Sequence, residues 1–79
     1  MADDGDARIC HAFGAWLREL RRRKKLSQVD LAARAGISAT YLSEIEQGER
    51  NPTIAVVVRL ARALDVKATQ LVSRLDDVK

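Results

Sequence analysis

Two short helical patterns meet across two residues, and that junction limits the folds open to this chain more than any other feature. Ser27 followed three positions later by Asp30 has the form of a capping box. In such a box the serine oxygen takes an orphan amide and the carboxylate returns the bond. The helix it starts turns Leu31, Ala32 and Ala35 inward and stops at Gly36, the residue type that tolerates the left-handed conformation of a helix end. Gly36 and Ile37 alone precede Ser38, which caps a third helix. Leu42 and Ile45 continue its apolar set, and Gly48 ends it.

The flanking segments are helical as well. Ile9, Phe13, Leu17, Leu20 and Lys24 recur at spacings of three and four, one stripe of an amphipathic first helix over 7–24, with Trp16 beside it. The acidic residues 1–6 precede it as a flexible arm. After the polar connection Glu49 to Asn51, Pro52 suits either the first helical position behind an Asn51 cap or the residue before a Thr53 cap. Val57, Leu60, Ala61 and Leu64 mark a fourth helix, and Leu71 with Leu75 a shorter fifth after a break at Asp65 and Val66. No strand pattern survives. The expectation is an all-α single domain over 7–79, with the central helix pair at about 27–47 and helices four and five at about 53–76.

Seventy-nine residues leave no room for a second domain. A core this small offsets the entropy of ordering the chain narrowly, so self-association is expected. The mixed patterning of 47% hydrophobic and 32% charged residues excludes both a disordered tail and a membrane span. One cysteine, Cys10, and an acidic start unlike a signal peptide point to a reducing cytoplasm. The single histidine, His11, sits next to that cysteine, and adjacent residues point to different faces. Without a glycine-rich loop or metal-ligand spacing, neither an enzyme nor a cofactor or metal site is expected. The net charge of +3 is modest, but Arg18, Arg21, Arg22, Arg23, Lys24 and Lys25 fall within eight positions. Such a run at a helix end is usually a solvated face that also suits the helix dipole, and which of its members meet a partner stays open.

A short helix, a glycine turn and a second short helix are the parts of a DNA-binding helix-turn-helix, although hairpins of this spacing also occur in proteins that never touch nucleic acid. Residue identity narrows the choice. The strings Leu26-Ser27-Gln28-Val29-Asp30-Leu31-Ala32, Ala35-Gly36-Ile37-Ser38, Tyr41-Leu42-Ser43-Glu44-Ile45-Glu46-Gln47-Gly48 and Arg50-Asn51-Pro52-Thr53 together resemble the Cro/C1-type (XRE) helix-turn-helix family. The resemblance runs from about Phe13 to Leu75. It is closest in kind to minimal members such as phage repressors, restriction-modification controller proteins and some antitoxins. It implies a five-helix, lambda-repressor-like DNA-binding fold and a transcriptional regulator that binds double-stranded DNA.

In that family the first turns of the third helix reach base edges, which here are Ser38, Ala39, Thr40 and Ser43, with Glu44 a further candidate. Thr40 offers a hydroxyl and a methyl, Ser43 a hydroxyl and Ala39 apolar contact alone. Members with Arg or Gln at the Ala39 position have a long reader that this chain lacks, so direct readout should be modest. Glu44 either accepts from a cytosine amine or stays solvated, and the solvated reading is preferred. The resemblance places Glu46 against the interior, able to hydrogen-bond across the motif to an arginine. Gln28, beside the free amides of a helix N-terminus, suits a phosphate clamp rather than an idle exposed side chain. Tyr41 leans to the flank of the groove, where a phosphate contact and a ring packed on the core are compatible. Gln47, Arg50 and Asn51, where the chain leaves the groove, are phosphate candidates, with Arg50 the strongest.

Helix four carries more apolar residues than one core stripe needs. Val56, Val58, Leu71, Val72 and Leu75 are therefore the expected interface of a homodimer, which would bind an approximately palindromic operator. RNA polymerase is a further partner such a regulator would meet. The rival reading is an antitoxin-like interaction module that neutralises a partner protein through helices four and five.

Overall fold

The computed structural model describes residues 4–78. In chain order its elements are α1 (Asp4–Arg23), α2 (Gln28–Ala35), α3 (Ala39–Glu46), α4 (Ile54–Leu64), α5 (Ala68–Leu71) and a closing 3-10 turn, Ser73–Asp77. No strand occurs among the described residues, and the five-helix all-α class is as expected. Of the segment 1–6 expected to be an arm, the first three positions lie outside the described residues. The other three form the first turn of α1. A helix N-terminus favours acidic residues, and Asp6 stands in that turn.

Side chains set the helix starts as the sequence foretells. Ser27 accepts from the Asp30 amide at 3.0 Å while Asp30 accepts from the Ser27 amide at 3.4 Å. Ser38 accepts from the Tyr41 amide, and Thr53 accepts from the Val56 amide, so the Thr53 alternative holds. The helix ends share one device. After α1, α2, α3 and α4, the amide of a left-handed residue reaches back three positions and that of its successor reaches back five. Gly36 and Gly48 fill the left-handed position after α2 and α3, but Lys25 (φ 59°) and Asp65 (φ 57°) fill it after α1 and α4. The residues that follow three of these caps, Leu26, Ile37 and Val66, pack against the core.

The core joins Phe13, Trp16, Leu17 and Leu20 of α1 to Leu31 of α2, Leu42 and Ile45 of α3, Leu60 and Leu64 of α4, and Leu71 of α5. α2 lies on α4, and α1 lies on α3. Two expectations about α1 need correction. Ile9 is 42% exposed and Lys24 is exposed beyond the end of the helix; Cys10 takes the inward place instead. A straight 3.6-residue helix carries positions 10, 13, 17 and 20 down one face and leaves position 9 at its margin. The lone tryptophan closes the C-terminal segment onto α1: Trp16 Nε1 donates to the Gln70 carbonyl at 3.0 Å, and the Arg74 guanidinium lies 3.9 Å from the ring centroid.

Gly14 lets α1 come this close to α3. A Cβ there would run into the carbonyls of Ile45 and Glu46, which are backbone atoms and cannot swing aside. Gly14→Ala should therefore destabilise the fold by about 1–3 kcal/mol, the usual cost of overpacking. Urea unfolding checks this, and a variant as stable as the parent would mean that the two helices are free to part.

Candidate nucleic-acid interface

The α2–α3 unit is held by one buried ion pair. The Arg21 guanidinium, at the end of α1, donates from Nε to Glu46 Oε2 at 2.7 Å and from Nη2 to Glu46 Oε1 at 3.0 Å. Its third corner, Nη1, donates to the Leu26 carbonyl at 2.8 Å in the α1–α2 connection. Gln28 Nε2 completes the set with a 3.0 Å bond to Glu46 Oε1. Every member has a partner, which is the condition for keeping two charges out of water. The hydrogen bond to Glu46 outweighs burial and raises the Arg21 pKa above its ordinary value. Because that value already lies far above neutrality, the stabilisation that the raised Arg21 pKa represents is fully present through the neutral range and is lost as the pH rises into strong alkali. A second arginine, Arg59 of α4, donates to the carbonyls of Ala35 and Gly36 at 2.9 and 2.7 Å. It fixes the glycine turn from behind. Nothing in the sequence pattern singles it out.

These anchors leave one face of α3 turned outward. Thr40, Ser43, Glu44 and Gln47 follow the i, i+3, i+4, i+7 spacing of a single helical face. Thr40 is exposed, and its hydroxyl has no partner among the described residues. Gln47 Nε2 donates to Ser43 Oγ at 2.8 Å. Glu44 is not solvated alone: its Oε1 lies 3.4 Å from Arg50 Nε, and the Arg50 guanidinium sits 5.8 Å from the Tyr41 ring centroid. Tyr41 packs its ring partly against the core, so the packing expected as compatible with a phosphate contact is present. Asn51 is exposed beside Arg50.

Three expected site residues are placed differently. The Ser38 oxygen is committed as the α3 cap, and Ala39 is half-buried against the core, so both offer less to a base than expected. Both belong to the first turn, where the helix meets the turn before it. Gln28 spends one of its two N–H donors on Glu46 and keeps the other. Within the basic run, Arg21 is buried, whereas Arg23 is exposed, pairs with Glu19 at 2.9 Å and lies near the Trp16 ring. Arg22 is exposed beside Arg18.

A family model described as helix-turn-helix matches residues 17–71, well over half of the chain. The chain belongs to the helix-turn-helix family. This helix-turn-helix regulator is 44% identical over 64 residues to an uncharacterized HTH-type transcriptional regulator, y4dJ, of Sinorhizobium fredii. That match covers 81% of this chain and 83% of the relative. The immunity repressor protein of Bacillus phage phi105 is 34% identical over 59 residues, which are 75% of this chain but 41% of that longer protein. Among solved structures, the restriction-modification controller protein C.AhdI from Aeromonas hydrophila superposes with a TM-score of 0.78 at 40% identity. The superposition covers 78% of this chain and 94% of that one. The protein is thus a transcriptional regulator with a helix-turn-helix DNA-binding domain, and no helix of the described residues is long and apolar enough to cross a membrane.

Removing one side of the buried pair strands the other charge. Arg21→Met or Glu46→Ala should each cost about 3–5 kcal/mol, far more than the exposed Arg23–Glu19 pair. Thermal unfolding followed by circular dichroism measures both. Loss of less than about 1 kcal/mol from either would show that the pair is not what joins the helices.

Proposed function

We propose that this regulator binds double-stranded DNA as a homodimer on an approximately palindromic operator, with the outward face of α3 in the major groove. The observation that carries the reading is that face itself: Thr40, Ser43, Glu44 and Gln47 aligned behind a fixed glycine turn, with the exposed cation of Arg50 on its flank. Thr40 and Ser43 read base edges; the free Gln28 donor, the Tyr41 hydroxyl, Gln47, Arg50 and Asn51 grip phosphates. The whole operates as one domain in the cytoplasm, occupying its operator and controlling access of RNA polymerase. Similarity to a controller protein over 94% of that protein's length supports a minimal regulator of this kind. Since no long side chain reads a base in the first turn, DNA shape contributes to site choice through base pairs the protein never touches.

The dimer surface proposed from the sequence changes in composition. Leu71 is fully buried in the protein's own core and has no surface for a second copy. Val56 and Leu75 pack against the same core and are half-buried. Val58 is half-buried, and Val72 is 37% exposed. Two residues that periodicity assigned no such role are more available: Ile54, the first residue of α4, is 84% exposed, and Ile9 is 42% exposed. Ile9, Val57, Val72 and Leu75 also line a shallow apolar depression of about 140 Å³. A closed two-fold interface across this side covers Ile54 and Val72 and sets two α3 helices about 34 Å apart, one turn of DNA.

Ile54→Glu should shift sedimentation equilibrium from dimer to monomer at micromolar concentration and weaken operator binding while leaving helix content unchanged. A wild-type chain that stays monomeric at high concentration would sink the dimer. For the DNA face, Thr40→Ala should alter base preference in a random-duplex selection. Arg50→Ala should instead weaken binding to a selected operator and lower its salt slope by about 1. If Arg50→Ala changed base preference and left the slope intact, the two roles would be exchanged.

A further inference from the structure

The Glu44 carboxylate, expected to stay solvated, is part-exposed and also engaged by Arg50, the flanking side chain best suited to a phosphate. Glu44 stands on the outward face of α3, one turn beyond Thr40. Its Oε1 is 3.4 Å from Arg50 Nε, and Arg50 also lies back toward the Tyr41 ring, 5.8 Å from its centroid. Two attractions therefore draw the cation along the helix flank. The Arg50 and Glu44 side chains stay 56% and 32% exposed. An exposed pair of this kind adds little to stability, so it can open at small cost. It does not explain the fold, which the buried pair already secures.

We propose that Glu44 is a specificity-determining positioning residue that withholds Arg50 from DNA until a base-edge amine meets its own carboxylate. The inference rests on the reading that this face enters the major groove. A carboxylate only accepts hydrogen bonds, and in a groove walled by phosphates it is unfavourable unless a donor reaches it. The cytosine N4 amine is such a donor. Where a cytosine stands opposite Glu44, the carboxylate takes its hydrogen bond and Arg50 is released to a phosphate. Elsewhere Glu44 keeps Arg50, and the neutral pair gains nothing from the backbone. One residue thus links a base contact to a backbone contact, and nonspecific duplexes lose an attraction that the operator retains.

The experiment measures binding of the full chain to a duplex selected from a random library and to a mixed-sequence duplex, across salt, by fluorescence anisotropy. Glu44→Gln should tighten binding to the mixed duplex about threefold or more and steepen its salt slope by about 0.9, one phosphate contact. The selected duplex should gain less, so the ratio of the two affinities falls. In Glu44→Gln combined with Arg50→Gln the gain on mixed DNA should vanish. Circular dichroism should show equal helix content in all variants. If Glu44→Gln left the ratio unchanged while Arg50→Gln alone weakened both duplexes, the withholding role would be wrong and the DNA face would stand. A gain that persisted undiminished in the double variant would also overturn it, since the carboxylate would then act by charge alone and not through Arg50. If Arg50→Gln alone changed neither affinity nor slope, the reading of the face would fall and the inference with it.

Discussion

One guanidinium and one carboxylate organise this small protein. Arg21 reaches from the end of α1 to Glu46 at the end of α3, and on the way it holds the Leu26 carbonyl; Gln28 joins from the start of α2. Three helices thereby meet on a single pair of oxygens, and the α1–α2 loop is held by the same guanidinium. An apolar contact in the same place is non-directional and tolerates sliding, whereas the planar fork of arginine fixes distance and angle together. The cost of burying charge is offset here by complete pairing. This pairing ties α3 to the end of α1 and the start of α2, while Arg59 holds the turn between α2 and α3 by donating to its carbonyls. The α2–α3 pair is thus tied at both ends, each to a different partner.

Against that frame, the outward residues of α3 are small or paired among themselves. Ser43 is bonded to Gln47, and Glu44 to Arg50, while Thr40 alone among these keeps an uncommitted hydroxyl. On the proposed reading of this face, contact with DNA is an exchange of bonds rather than a simple gain of them. Such a surface lowers the reward for any duplex that cannot replace what it breaks, which is one physical route to discrimination without long readers.

Much of the architecture was legible because it is local. Ser27 with Asp30, Ser38 and Gly36 announce helix boundaries through bonds made within four or five residues, and each boundary appears where the pattern put it. The ends of α1 and α4 carry no glycine, and Lys25 and Asp65 take the left-handed conformation more usual for it; the break at Asp65 and Val66 shows in the apolar spacing alone. Periodicity also misplaced Ile9 and could not separate Leu71, wholly enclosed, from Ile54, wholly apolar yet nearly bare. Those distinctions depend on which helix lies across which. The same holds for Gly14 and Arg59, whose roles concern residues more than twenty positions away, and for the Glu44–Arg50 pair, which closes across the end of a helix. At the candidate site, side-chain type suggested the face, while the bonds among its members came only from three dimensions.

The clasp around Trp16 gives the molecule an optical property of its own. Its indole is buried, hydrogen-bonded to the Gln70 carbonyl and overlaid by Arg74, all on the α1 and C-terminal side. No other tryptophan is present in the sequence. Indole emission moves to longer wavelength when water replaces a protein surround, so the colour of this one fluorophore registers the docking of the C-terminal segment on α1. Tyr41, the only tyrosine, lies instead on the flank of α3. The two chromophores thus watch different sides of the protein, and each side can be followed in solution without a label.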